Sequence, residues 1–452
     1  MKIKVQNYII TQKKKAGKTT VCTLRIPFVM EHTEEDVCNS AAVIDMRKLS
    51  FFVDRVPEIV SSFLYFSSII YAIDRSVSRD KYSIDGWSRI LDVNIKIPSS
   101  TLFKNSKGSL EVLLSYLTGD YWTLSFEETK GPNLIKFSDS SYFDEISQVN
   151  LFSGGLDSLI GAIDFMSNNP DKLLFLSSHY DSDMGGPLKD QRKILSAFKS
   201  KYLGRYLTLP KYSAVKVNSE VSAETTCRSR SLLFIGIALQ TAAYKNVSID
   251  IPENGSVSLN YPLSVYRRSS CSTRTTHPFI LYNLQKILEK WGIMVKIHNP
   301  YEFATKGEMV KNCANQEFLL SIIDKSNSCG KRARHQFFYD NKTATHCGHC
   351  MPCMYRKASL VGFDDRTSYG NTLNTLFGRK DQHVSDDFYA MLNFLRTCIT
   401  ESDIRKELCI AKVHHLPNFE RYIDLVRRTR EELLSLINSE GNQQLKKYVG
   451  LI

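Results

Sequence analysis

No run of about 18 apolar residues occurs in the chain, so a membrane-spanning helix is not expected. The opening stretch MKIKVQNYIITQKKK lacks an apolar signal core followed by a small-residue cleavage site, which makes a cytoplasmic location the expectation. Internal repeats are missing, which excludes a repeat array, and so are low-complexity linkers. Cysteines number eleven, an odd total that fits reduced thiols better than a disulfide framework. One familiar phosphate motif is also lacking. Gly17-Lys18-Thr19 matches the end of G-x-x-x-x-G-K-[ST], but the first glycine position holds Gln12. A charged hairpin turn is the better reading.

What remains is an ordinary globular composition, 42% hydrophobic and 23% charged, in 452 residues, enough for two or three domains. A formal charge of +12 favours an anionic partner (a nucleotide, a nucleic acid or an acidic protein face), against the alternative of a solvated basic surface. Residues 1–145 read as a small α+β domain. Its apolar stretches Ile3 to Thr11 and Val21 to Ile26 suggest a hairpin, with a helix at about Val56 to Ala72. Strands follow at Arg89 to Ile97 and Tyr121 to Phe126 around a helix at Leu110 to Leu117. Residues 146–360 alternate strands and helices, which predicts an α/β fold with a parallel sheet covered on both faces. Residues 361–452 have helical apolar spacing at Phe388 to Leu395 and Tyr422 to Leu436, and carry no chemical motif.

The chemistry concentrates where the strand Val149 to Phe152 runs into Ser153-Gly154-Gly155-Leu156-Asp157-Ser158 and then a helix. Two glycines allow the backbone to turn its N–H groups onto phosphate oxygens, and the positive end of the helix faces the same anion. Ser153 and Ser158 add hydroxyl donors. Asp157 repels bare phosphate, so its natural role is to hold Mg²⁺ or to order the loop. A plain Gly-Gly connection is the bland alternative.

A second constellation is Cys347-Gly348-His349-Cys350-Met351-Pro352-Cys353, with Cys329 upstream. Four thiolates close a tetrahedral Zn²⁺ site, and two C-x-x-C steps let one loop supply three of them. Cys313, His346 and His349 compete for the fourth position, and an Fe–S cluster, a redox C-x-x-C pair and chance spacing are the alternatives to zinc.

Basic and hydroxyl-rich segments complete the inventory. Arg228 and Arg230, beside Thr225 and Thr226, precede an apolar helix and suit a phosphate or carboxylate at its N-terminus. Asn254, Arg268, Thr273, Arg274 and Thr275 form poor core material and suit an anionic pocket at the carboxyl ends of the strands, with a polar loop as the alternative. His277 is either a general base or structural. Cys227 and Cys271 are either nucleophiles or bystanders.

S-G-G-x-D-S after a strand resembles the PP-loop of ATP-pyrophosphatases, and the C…C-x-x-C-x-x-C set downstream makes residues 146–360 similar to the QueC-like branch, the 7-cyano-7-deazaguanine synthases. The resemblance implies a Rossmann-like, HUP-type sheet with a structural zinc. It also implies cleavage of ATP between its α and β phosphates, with Ser153, Gly154, Gly155, Leu156, Asp157, Ser158, Arg228 and Arg230 on the nucleotide. Ser153, Asp157, Ser158 and Lys306 would be catalytic; Lys306 sits in a K-x-E element like one late in such domains. The chain departs where QueC-type proteins read P-x-R-N-x-x-F, because Arg230 or Ser231 takes the Asn position. The flanking Trp87-Ser88-Arg89 and Leu117-Thr118-Gly119-Asp120-Tyr121-Trp122 are similar to the QatC family of the four-component Qat anti-phage systems. That implies 7-carboxy-7-deazaguanine or a relative as the acid, with ammonia or an amine of a small partner protein as acceptor. The alternatives are a PP-loop enzyme acting on tRNA or another nucleic acid, and a non-catalytic nucleotide-sensing subunit.

Overall fold

In the computed structural model, described for residues 1–15, 18–53, 55–133, 143, 145–180, 186–209, 215–219, 224–263, 274–379 and 381–452, two sheets are joined through a pair of buried helices. The strands, in chain order, are β1 (Lys2–Val5), β2 (Ile9–Lys15), β3 (Lys18–Glu31), β4 (Val37–Asp45), β5 (Ile90–Ile97), β6 (Tyr121–Glu128), β7 (Ile146–Leu151), β8 (Leu173–Ser177), β9 (Tyr206–Thr208), β10 (Val215–Ser219), β11 (Ile249–Asp250) and β12 (Ile297–His298).

The first sheet is mixed, in the order β10-β4-β3-β1-β5-β6, with β2 paired to β3. β2 and β3 pair antiparallel, and Lys18 begins a strand where a phosphate loop requires a helix. Alternation is clean along β5 and β6: Leu91, Val93, Ile95, Trp122, Leu124 and Phe126 point inward. The helix Glu58–Ser76 covers this face and is buried from Ile59 onward. Its outer side packs on the helix Arg230–Lys245 so closely that a Cβ at Gly236 would lie 2.3 Å from Ser67 Oγ. Both helices are enclosed, so their apolar residues are not confined to one stripe. One hydrophobic core therefore runs from Ile3 to Val295, across residue 145, and β10 extends the first sheet by pairing with β4.

The second sheet is wholly parallel, in the order β12-β11-β7-β8-β9. The chain moves outward from β7 through β8 to β9, then returns to the other side of β7 for β11 and β12. The switch point, the crevice where such sheets accept ligands, thus falls between the carboxyl ends of β7 and β11. Phe175 of β8 faces the Arg230–Lys245 side, whereas Leu174 and Leu176 face the helix Leu156–Asn168. The C-terminal residues form helices around a separate core, the longest being Phe419–Glu440. No helix among the described residues is long and apolar enough to cross a membrane.

Where the two sheets meet, four charged groups are sealed from solvent. Arg89 donates from Nη2 to Asp74 Oδ1 and to Asp120 Oδ2, each at 2.6 Å. Arg79 reaches Asp120 at 2.7 Å, and Asp74 Oδ2 accepts the Ser229 N–H and hydroxyl at 3.0 and 2.8 Å. Burial alone would raise the Asp74 carboxyl, but the Arg89 guanidinium and the Ser229 donors outweigh it and hold it below its ordinary value. Replacing Arg89 with Ala leaves two buried carboxylates with only Arg79 between them, 2.7 Å from Asp120 and 3.8 Å from Asp74. Urea denaturation is expected to register a loss of about 3–5 kcal/mol; a loss under about 1 kcal/mol would show that water reaches the cluster.

Candidate functional site

At the switch point the chain leaves β7 and turns through Gly154, whose φ of +88° excludes most side chains. A Cβ there would also meet the Gln191 backbone nitrogen at 3.2 Å and Asp190 Cβ at 3.3 Å. Gly155 then caps the helix Leu156–Asn168 in an extended conformation. Ser158 Oγ donates to the Gly155 carbonyl at 3.0 Å and lies 3.3 Å from Ser153 Oγ, so both hydroxyls border one turn of backbone. From the other side of the switch, Pro252 presses on the helix: a Cβ at Gly161 would fall 2.4 Å from the proline ring.

Asp157 lies beneath the loop, 6% exposed. Lys306 Nζ donates to its Oδ1 at 2.6 Å, and Asn254 Nδ2 to its Oδ2 at 2.7 Å. Burial by itself would raise this carboxyl, yet Lys306 and hydrogen bonds from Glu253 and Asn254 hold it down. Glu253 shifts the opposite way, raised well above the carboxylate range by burial and by the Asp157 charge. The pair is thus pushed apart, Asp157 toward its charged form and Glu253 toward its neutral one. Lys306 is the first residue of a short helix closed by a capping box, in which Thr305 Oγ accepts from Glu308 N–H. The C-terminal helix Phe419–Glu440 secures both partners of Asp157. Glu432 accepts from the Thr305 hydroxyl and from Gly307 N–H, and Thr429 Oγ1 lies 2.6 Å from Ser256 Oγ.

Above these residues opens a cleft of about 290 Å³, lined by Ser153, Gly155, Asp157, Glu253, Lys306 and Arg230, among others. Its far wall is Asn327, Ser328, Cys329 and Arg332. Asn327 N–H donates to the Gly154 carbonyl at 3.0 Å, and Ser328 Oγ accepts Leu156 N–H at 3.3 Å, which clasps this wall to the loop. Arg356, fully buried, fixes the preceding turn through Ser326 Oγ and the Ile323 carbonyl.

The wall continues into the metal-type centre. The sulfurs of Cys329, Cys347, Cys350 and Cys353 all lie within 4.8 Å of one another. Cys347 and Cys353 are 3.8 Å apart, which matches the sulfur–sulfur edge of a tetrahedron built on Zn–S bonds of about 2.3 Å. Backbone N–H groups of Cys347 and Lys331 point at Cys329 Sγ, and those of His349 and Cys350 at Cys347 Sγ, a donor pattern that stabilises thiolates. Gly348 is required between the first two loop cysteines, since a Cβ there would strike the Asn371 carbonyl at 2.3 Å. The four cysteines are positioned to hold a metal ion, and an all-thiolate set of this size suits zinc. The competitors are not among the four ligands, although the His349 side chain also contacts the Cys347 thiol. His349 Nδ1 faces Asn371 and His346 Nδ1 faces Thr345, while Cys313 is buried in another core beside Asp164.

The remaining expected site residues divide. Asn254 and Arg230 join the cleft region. Arg228 lies instead at the junction of the sheets, buried and stacked 4.4 Å over Trp87, where burial and the neighbouring Arg79 charge lower its guanidinium to about 10. Arg274 stacks on Tyr116 and donates to its carbonyl, and Thr275, which is half-buried, belongs to the same turn. Arg268, Thr273 and Cys271 lie outside the described residues. His277 caps the helix Pro278–Lys290, and burial pushes its ring down to about 3, too weakly basic for a general base. Sequence reasoning missed Glu253, Ser328, Asp190 and Arg332. Only Glu253, an acid three residues past the end of β11, had a local signal.

No protein-family model, curated protein or solved structure matches this chain. Elemental analysis is expected to find one zinc per chain. Cys350→Ser should lose the metal and melt several degrees lower; full metal retention in that variant would rule out the four-cysteine centre.

Proposed function

We propose that this chain is a QueC-like ATP-pyrophosphatase that activates a small carboxylic acid as its adenylate, with 7-carboxy-7-deazaguanine or a relative as the acid. The observation that carries the reading is the joint position of the Gly154-Gly155 turn and the Asp157–Lys306 pair. They meet at the switch point of a parallel sheet, in a cleft of nucleotide-accepting character. The first turns of two helices, three basic side chains (Arg230, Lys306 and Arg332) and three serines (Ser153, Ser158 and Ser328) converge there. Such a set suits a polyphosphate better than a neutral metabolite.

In this reading the acid's carboxylate oxygen attacks the α-phosphorus of ATP. The bond from that phosphorus to the bridging oxygen breaks, and pyrophosphate leaves with the electron pair. An amine then attacks the acyl carbon, loses a proton and displaces AMP. The loop N–H groups receive the departing phosphates, and Lys306 balances the charge that gathers on the bridging oxygen. Asp157 and Glu253, the neighbouring carboxyls that line the cleft beside the loop, are the residues that would hold Mg²⁺. When bound, the ion supplies charge neutralisation for the leaving pyrophosphate. The acceptor amine is ammonia or a group on a small partner protein, as expected of the QatC family.

The purified chain, given ATP and 7-carboxy-7-deazaguanine, is expected to release pyrophosphate and AMP. Asp157→Ala and Lys306→Ala should each lower the rate by about 100-fold or more. Release driven by total tRNA instead of the acid would favour the nucleic-acid reading. Tight ATP binding with no release under either condition would favour a nucleotide-sensing subunit.

A further inference from the structure

Arg332 has no place in the sequence pattern that suggested the site, yet its setting is unusual for a cation. The guanidinium lies flat on Gly186, the first residue of the helix Gly186–Lys201; a Cβ at that glycine would come within 2.5 Å of the guanidinium carbon. This is the positive end of a 16-residue helix, where an isolated cation is disfavoured. Asp190, one turn further on and 5% exposed, holds Arg332 there through a two-pronged pair with Nη1 and Nη2. A guanidinium carries five N–H donors, and among the described residues Asp190 takes one from each of these two nitrogens. The side chain itself is 31% exposed and borders the cleft.

Two helices thus present their N-terminal turns to one space, Leu156–Asn168 through Leu156 and Asp157, and Gly186–Lys201 through Pro187 and Asp190. The backbone that carries Arg332 is fixed three residues earlier at Cys329, whose sulfur accepts the Lys331 N–H. A second clasp, from Asn327 and Ser328, ties the same segment to Gly154 and Leu156. The arm is therefore anchored at its root and held at its tip by an acid, over a space with two positive helix ends.

We infer that Arg332 is the residue that recognises the terminal phosphates of the nucleotide, delivered to the cleft by the four-cysteine loop and kept extended by Asp190 until the phosphates arrive. The inference rests on the ATP reading above. An anion entering here meets both helix ends and the guanidinium edge turned away from Asp190; the β and γ phosphates are the anionic groups that ATP has and AMP lacks, and the contact is assigned to them. Arg332 is a binding and positioning residue; the bond changes at the α phosphorus proceed without it.

Equilibrium binding of ATP and AMP to the zinc-loaded chain tests this, with Arg332→Ala and Arg332→Lys compared with the parent. Arg332→Ala should weaken ATP by roughly 10- to 100-fold and leave AMP within about 2-fold, the loss expected for a charge-assisted contact. Arg332→Lys keeps the charge without the fork and should fall between. Its unchanged zinc content and melting temperature would certify the fold if the alanine variant proves unstable. Equal ATP affinity in parent and both variants would overturn the role of Arg332 while leaving the ATP reading intact. A parallel loss of ATP and AMP would reduce the residue to a structural one. Failure of the parent chain to bind ATP would remove the underlying reading and this inference together.

Discussion

Asp157 is a carboxylate enclosed beneath a backbone turn, and three separate stretches of chain have to arrive in register to keep it charged. The helix after β7 supplies the acid, the segment after β11 supplies Glu253 and Asn254, and the Thr305 turn supplies Lys306. A buried charge without such partners would cost several kcal/mol or take up a proton. The cleft is thus an ionic knot around which the strand order, the short helices and the C-terminal buttress are arranged. The long helix Phe419–Glu440, which carries no motif of its own, touches the knot twice, through Thr429 near Asn254 and through Glu432 at Thr305.

The second ionic cluster plays a matching role at a distance. Asp74, Arg79, Arg89 and Asp120 join the first sheet to the start of the Arg230–Lys245 helix, because Asp74 takes both donors of Ser229. Arg230 follows directly and reaches the cleft. The N-terminal region therefore acts on the site by holding one of its walls. This gives a physical reason why Trp87, Arg89 and Asp120, noticed only as parts of a resemblance, are placed as they are. Trp87 stacks under Arg228, and the other two are halves of a sealed ion pair.

How much was legible follows from the range of each interaction. The strand–SGGLDS–helix segment and the C-x-x-C-x-x-C loop could be read because their parts are contiguous and their glycines meet local backbone demands at Gly154 and Gly348. The strands β5 and β6 could be read from their alternation. Arg332 and Asp190, 142 residues apart, could not, since nothing local marks either as a partner. Nor could the short β10, which is defined by its neighbour and not by its own pattern. Arg228 misled for the opposite reason. Two arginines among hydroxyls look like an anion site, but Arg230, the first residue of its helix, lines the cleft while Arg228, before it, enters the junction of the sheets.

The pairing of β10 with β4 has a consequence for how such a molecule can be divided. A fragment ending at residue 145 would carry β4 as a naked edge, nine residues long and rich in apolar side chains, with its hydrogen-bonding groups turned outward. Exposed edges of that kind recruit other chains. The complementary fragment would leave the buried, largely apolar Leu232 to Ala242 stretch of the Arg230–Lys245 helix without its cover. The N-terminal sheet is thus no detachable appendage to a nucleotide fold. The two halves are interlaced, and a recombination event that moved one without the other would yield neither.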